Sequence, residues 1–230
     1  MSKGVFITGT DTGVGKTWFT LALIEALKEQ GRKTNGMKPI ASGGNYVNGK
    51  LMNDDARLIM QCSSELVDYE LINPYVFEPS VSPNFAARRA GVFVEIDQIV
   101  ASYNHLASAC DNIIVEGVGG WRVPMSDEIS TADIVRELGI PVILVVGLRL
   151  GCINHATLTA EAIRADGINL CGWVCNQLDK EYLYKEETLE FLNEELACPN
   201  IADLDNMVGL DSVEMAKNID PSFILGYGAR

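Results

Sequence analysis

A chain of 230 residues with 47% apolar and 21% charged residues has the composition of an ordinary globular protein, long enough to bury a substantial core. Its 31 acidic against 18 basic residues leave a net charge of −13, which excludes a general nucleic-acid binder and argues against recruitment to anionic membrane surfaces. No stretch approaches the roughly 18 apolar residues of a membrane span, since the run from Ile140 is broken by Pro141 and Arg149.

Lys3 to Thr8 reads as a first strand feeding Gly9-Thr10-Asp11-Thr12-Gly13-Val14-Gly15-Lys16-Thr17. Lys16 to Gln30 sets Phe19, Leu23, Ala26 and Leu27 at helical spacing, with Gly31 as a stop. Thr34 to Lys38 is a short second strand ended by Pro39, residues 42 to 50 are loop chemistry, and Asp54 to Gln61 looks helical. Residues 73 to 84, with Pro74, Pro79 and Pro83, read as irregular, and Ile96 to Ala109 as a second long helix. Asn112 to Val115 is a buried strand running into Glu116-Gly117-Val118-Gly119-Gly120. Val142 to Val146 is another, followed by a helix from about Asn154 to Ala165, a strand Leu170 to Cys175 with Asn176 at its end, and a helix Glu186 to Leu196. Beyond residue 200 the pieces are short and carry no legible order. Strands apolar on both faces, alternating with helices, imply an α/β fold: a doubly wound, mainly parallel sheet flanked by helices, P-loop NTPase-like, forming a single domain over residues 1–230. Ligands of such a sheet sit beyond the carboxyl ends of its strands.

Residues 9–17 have the chemistry of a phosphate-binding loop. Glycines let the backbone turn its N–H groups toward phosphate oxygens, and the helix that follows adds the positive end of its dipole. Lys16 can then reach the β- and γ-phosphates while the Thr17 hydroxyl can ligate Mg²⁺. One feature is irregular: a strict loop needs glycine at position 10, where Thr10 stands, and the glycine falls one place earlier at Gly9. A Rossmann fingerprint fails, because its third glycine would fall at Trp18.

Glu116, at the end of a buried strand, stands where phosphate-loop enzymes place an acidic residue that helps hold Mg²⁺, although a capping carboxylate is the simpler alternative. Asp54 and Asp55 open a helix after a loop; an N-cap with a dipole-stabilising charge and a Mg²⁺ ligand are both open readings. Lys38 ends the second strand and would face the same crevice, or else be a solvated surface lysine. Asn176 could offer its amide to an adenine edge or serve as a turn residue. The six cysteines include no C-x-x-C pair and read as buried thiols of a reducing compartment, and two histidines cannot make a His₃ zinc site. The N-terminus runs directly into the first strand, leaving no room for a cleavable signal, so a cytoplasmic location is expected.

Beyond these single residues, Gly9 to Thr17, Lys38-Pro-Ile-Ala-Ser-Gly43, Asn73-Pro-Tyr75, Ser82-Pro83, Val115-Glu-Gly-Val-Gly-Gly-Trp121, Pro141 to Gly147 and Leu150-Gly-Cys-Ile-Asn-His155 together resemble the dethiobiotin synthetase family. The resemblance covers most of the chain, and the displaced first glycine is one of its marks. It implies ATP-dependent closure of a cyclic urea on 7,8-diaminopelargonic acid with CO₂, through a carbamate and a mixed anhydride, releasing ADP and phosphate. It further implies that Thr17, Asp55 and Glu116 hold Mg²⁺ and that Lys16 and Lys38 stabilise the phosphoryl group and carbamate. Gly13, Val14, Gly15, Trp18, Gly117, Val118, Gly119, Asn176 and Gln177 would contact the nucleotide, with Asn176 reading adenine. Thr12 and Ser42 would face the diamine. Gly151, Cys152 and Asn154, at the start of a helix, would receive the distant carboxylate across a homodimer interface; simple capping by Asn154 is the alternative.

Three positions depart from the family pattern. Gln177 stands where relatives often have Asp, Asp205-Asn206-Met207 where they show a Pro-containing base-binding stretch, and a tyrosine near the substrate carboxylate falls at Thr188, with Tyr184 one turn earlier. Two other classes fit less well. Cobyrinic-acid amide synthases need a glutaminase domain for which this chain has no room. Switch ATPases carry a signature lysine where Asp11 stands and use basic or amphipathic surfaces absent here.

Overall fold

The computed structural model describes residues 3–205 and 211–226. Strand β1 (Lys3–Gly9) delivers the chain into the phosphate loop, and α1 (Lys16–Glu29) leaves it, burying Phe19, Leu23, Ala26 and Leu27 as their spacing requires. After β2 (Thr34–Met37) come β3 (Ile40–Ser42), β4 (Gly44–Val47), β5 (Lys50–Asn53), α2 (Asp54–Cys62) and the single turn α3 (Tyr69–Ile72). Next are β6 (Tyr75–Phe77), α4 (Pro83–Ala90), α5 (Ile96–Ser108), β7 (Asn112–Glu116) and α6 (Thr131–Leu138). The remainder is β8 (Val142–Leu148), α7 (Cys152–Ala165), β9 (Leu170–Gln177), α8 (Lys185–Leu196), β10 (Asn200–Asp205), α9 (Ser212–Ala216) and α10 (Ser222–Gly226).

Six strands form one parallel sheet in the order β10-β9-β8-β1-β7-β2. Strands β2, β7 and β8 are buried at every position because helices cover both faces; β8 is apolar throughout, whereas β2 buries Thr34 and Asn35, and β7 buries Asn112 and Glu116 at its two ends. All six cysteines are free thiols, four of them buried.

Several segments differ from the sequence reading. Residues 44–53, read as loop up to residue 50, are an antiparallel hairpin turning at Asn48 (φ 50°) and Gly49 (φ 82°), a pair whose left-handed backbone matches strand twist. The stretch 73–84, read as irregular, holds β6, which pairs in parallel with β3, and the first turn of α4, where Pro83 needs no N–H partner. Helix α6 went unread, although Ser130 and Asp133 form a capping box before it and Gly139 ends it in the left-handed region. Helix α7 starts at Cys152, two residues ahead of expectation, with Gly151 as N-cap, so Asn154 lies inside the first turn and is not the cap. Strand β10 extends the sheet from the part of the chain that carried no legible order.

Candidate active site

Strands β1, β7 and β2 are adjacent, and their carboxyl ends line up: Ile7 pairs with Glu116 and Met37 with Val115. The residues that follow β1 (the phosphate loop), end β7 (Glu116) and follow β2 (Lys38) therefore meet at one edge of the sheet. The phosphate loop depends on its glycines in two different ways. Gly13 (φ 74°) and Gly15 (φ 100°) take left-handed backbone that other residues avoid. Gly9 instead makes room: a Cβ there would stand 2.6 Å from Val14 Cγ2, which gives the displaced glycine a steric reason. Val14 is buried, and its carbonyl accepts from Asn176 Nδ2 at 2.9 Å, so β9 braces the loop from behind. The N-cap Gly15 offers α1 no side-chain acceptor, and no acidic residue sits in the first turn. Those free amides and the helix dipole suit an anion.

Lys38 is the electrostatic centre. It is 4% exposed, and its ammonium donates to Glu116 Oε1 at 2.6 Å and to Asp55 Oδ2 at 2.9 Å. Burial opposes its charge, but the two carboxylates outweigh burial and hold its pKa above the ordinary lysine value. Asp55 shows the converse: partial burial pushes its pKa up, and the Lys38 ammonium more than reverses that, leaving it below the usual range. Glu116 Oε1 also accepts from the Thr17 hydroxyl at 2.8 Å, while Glu116 Oε2 is buried with no hydrogen-bond partner among the described residues. A buried orphan carboxylate oxygen is costly unless another group satisfies it. Lys16 donates to the Asp11 carbonyl at 2.9 Å, and burial, with Lys38 nearby, pulls its pKa down to about 8.

The α2 cap is settled by geometry. Asn53 accepts from Ala56 N and is the N-cap; Asp54 pairs with Arg57, and Asp55 turns to Lys38. Glu116 caps no helix either, since it is the last residue of β7.

A cleft of about 760 Å³ opens over this edge. Thr12, Gly13, Gly15, Lys16, Thr17, Trp18, Lys38, Ser42, Asp55, Glu116, Val118 and Gly119 line it, so most of the sequence-derived site converges. Ser80, Val81, Ser82 and Val123 join them. Other expected residues stand apart. Asn176 is buried, and its Nδ2 donates to the Val14 carbonyl, so it also supports the loop. Gln177 accepts from Lys185 and donates to the Asp179 carbonyl. Gly117 backs onto the Phe6 ring. Gly151, Cys152 and Asn154 do not line the cleft: Cys152 is buried and the other two are exposed. Thr188 is buried against the Tyr182 hydroxyl and Tyr184 is exposed at the start of α8, while Asn206 and Met207 fall outside the described residues.

One contact was missed in the sequence. Arg149 Nη2 donates to Asp11 Oδ2 at 2.6 Å, tying the residue after β8 to the phosphate loop. The signal was available, since Arg149 follows a buried strand as Lys38 does.

Comparison with known proteins agrees with this geometry. A family model described as an AAA domain matches residues 3–214. The ATP-dependent dethiobiotin synthetase BioD of Aromatoleum aromaticum is 42% identical over 93% of this chain and 95% of its own length. The synthetases of the same name from Marinobacter nauticus and Nitrosospira multiformis are each 43% identical, over 91% of both chains and 96% of both chains respectively. Among solved structures, the MinD cell division protein of Aquifex aeolicus superposes with TM-score 0.55 at 17% identity, covering 95% of this chain and 87% of its own. The signal recognition particle 54 kDa protein of Aeropyrum pernix, in complex with GDP, gives TM-score 0.55 at 15% identity, covering 98% of this chain and 46% of its own. These two likenesses are of fold alone, that of P-loop NTPases. Sequence identity at this level over nearly the full length carries more: the chain belongs to the ATP-dependent dethiobiotin synthetase family and is an ATP-dependent ligase.

Proposed function

We propose that the chain, acting as one P-loop domain, closes the ureido ring of dethiobiotin from 7,8-diaminopelargonic acid, CO₂ and ATP. The observation that carries this reading is the Lys38 ammonium, buried between Glu116 and Asp55 beside the phosphate loop. Phosphoryl transfer is achieved chiefly by positioning and charge, and this arrangement supplies both.

One amine of the diamine takes up CO₂ and loses a proton, giving a carbamate anion. A carbamate oxygen then attacks the γ-phosphorus of ATP, ADP leaves, and a carbamic-phosphoric anhydride forms. The neighbouring amine attacks the carbamate carbon and expels phosphate, closing the ring. Loop amides and Lys16 would bind the β- and γ-phosphates, and Lys38 would hold the carbamate oxygens against them. Thr12 and Ser42, on the cleft wall, would orient the diamine.

Thr17, Asp55 and Glu116 fit a Mg²⁺ ion. Together they offer a hydroxyl and two carboxylates, Glu116 Oε2 has no partner among the described residues, and Mg²⁺ is usually held by one or two carboxylates plus substrate phosphates. When bound it would neutralise charge on the phosphates. Gly13, Val14, Gly15, Trp18, Gly117, Val118 and Gly119 would frame the nucleotide, with Asn176 and Gln177 toward the base.

Gly151, Cys152 and Asn154 lie outside the cleft, which supports their serving the substrate carboxylate of a second copy in a homodimer. Leu158 on α7 and Phe191 on the adjoining α8, with Leu150, Leu183 and Tyr184 just ahead of those helices, are exposed and supply apolar surface. A cytoplasmic location follows from the reading as a biosynthetic ligase, and no helix among the described residues is long and apolar enough to cross a membrane.

ATP turnover measured with and without diaminopelargonate plus bicarbonate tests the reading. Turnover that requires both is expected. Turnover indifferent to both refutes it and favours a switch ATPase.

A further inference from the structure

Residues 117–123 connect Glu116 to the rest of the chain without regular structure, yet they form part of the cleft wall through Val118, Gly119 and Val123. They also pack against the phosphate loop. A Cβ on Gly119 would stand 3.6 Å from the Thr12 hydroxyl, and one on Gly120 would stand 3.5 Å from the Gly9 carbonyl oxygen. A segment this close to the phosphate loop must be held from its other side.

Trp121 is the anchor. It is 3% exposed and meets Phe6 edge to face, with ring centroids 6.5 Å apart and planes at 82°. Its indole N–H donates to Asp166 Oδ2 at 2.7 Å. Arg122 Nη1 reaches the same carboxylate, 2.8 Å from Oδ2 and 3.1 Å from Oδ1, and its Nη2 donates to the Ala162 carbonyl. Asp166 is the C-cap of α7, and its own carbonyl accepts from Arg136. One carboxylate, its side chain 17% exposed, thus receives two consecutive residues of the loop from a rigid helix end. Charge assistance makes both bonds stronger than neutral ones.

We infer that Asp166 is a positioning residue, which clamps residues 117–123 against Thr12 and so shapes the diamine end of the cleft. The inference rests on the proposed function in assigning that end to the diamine. Asp166 touches no reacting group. Its effect reaches the substrate through Trp121 and Arg122.

The test uses the full chain with Asp166→Ala, Asp166→Asn and Trp121→Phe. Asp166→Ala is expected to raise KM for diaminopelargonate about tenfold, the scale of one hydrogen bond to a charged group, and KM for ATP by a clearly smaller factor, since Gly117 to Gly119 also frame the nucleotide, while kcat stays within about twofold. Asp166→Asn keeps an acceptor for the indole and should recover part of that loss. Trp121→Phe keeps the ring on Phe6 but not the N–H, and should raise the same KM. Amide hydrogen exchange supplies a readout independent of turnover: residues 117–123 should exchange faster in Asp166→Ala while β7 keeps its protection. Unchanged exchange in 117–123, or a KM rise shared equally by both substrates, overturns the clamp and leaves Asp166 as a helix cap. A parent protein without diamine-dependent turnover fails the functional reading, and the exchange data then decide the clamp alone.

Discussion

Replacing Lys38 by methionine keeps an unbranched side chain of similar length and removes the ammonium, with its charge and its N–H donors. In the parent the ammonium neutralises Glu116, whose side chain is 1% exposed, and Asp55, whose side chain is 43% exposed. Breaking a buried pair by deleting one partner costs about 3–5 kcal/mol, because the remaining charge is stranded. The exposure of Asp55 and the nearby Lys16 place this case at the low end, about 3 kcal/mol. For a chain of this size each kcal/mol lowers Tm by about 2–4 °C, so a fall of about 6–12 °C is expected in metal-free buffer. Mg²⁺ should restore much of it, since the cation takes over the neutralisation of the two carboxylates. Turnover should fall by about 10²–10³ with nucleotide affinity nearly kept, the pattern of a lost transition-state contact. Thermal unfolding with and without Mg²⁺, beside steady-state kinetics, measures all three. A metal-free Tm equal to that of the parent, or unchanged turnover, refutes the reasoning.

Four further outcomes follow from the same site and the residue that braces it. Burial holds Lys16 near pH 8, so ATP binding above that pH must take up a proton, and calorimetry in buffers of different ionisation heat should detect uptake at pH 9 and little from this lysine at pH 7.5. The unfolded chain keeps that proton to about 10.5, so the contribution of Lys16 to stability rises as pH climbs from about 8 to 10.5; a flat response contradicts the burial argument. Glu116→Gln should shift the Mg²⁺ dependence of turnover upward by about tenfold, as loss of one charged ligand would, whereas a titration curve overlaying the parent removes Glu116 from the metal site. Asn176→Ala leaves the Val14 carbonyl without its buried donor, costing about 1–3 kcal/mol of stability. With Asn176 a base reader, the variant should also lose preference for ATP over GTP, and equal weakening of both would leave Asn176 as loop support alone.

Much of the site could be read from the chain because it is built from strand ends. Lys38, Glu116 and the phosphate loop each follow a run of buried residues, and adjacency of β1, β7 and β2 brings them together. Sequence alone could not decide between roles where one residue type serves two. Asp55 became a Lys38 partner only once Asn53 proved to be the helix cap. Asn176 sits at a strand end, as an adenine reader should, and its Nδ2 also donates to a buried carbonyl on a distant loop, which no local pattern announces. The hairpin at 44–53 is not legible despite its Asn48-Gly49 turn, because its strands are four residues each, bury only Gly44 and Asn53 and lack an apolar run. Strand β3 and β6 are three residues each, too short to show a period. Trp121 and Asp166 are separated by 45 residues, and no local pattern links an indole to the end of a helix.

Carbon from bicarbonate offers the most direct test of the central claim that one site joins CO₂ to a diamine at the expense of ATP. With ¹³C-bicarbonate, diaminopelargonate and ATP, the protein should form a cyclic urea carrying the label at its carbonyl, one molecule for each ADP released. ADP released without labelled product, at a rate indifferent to the diamine, would contradict it.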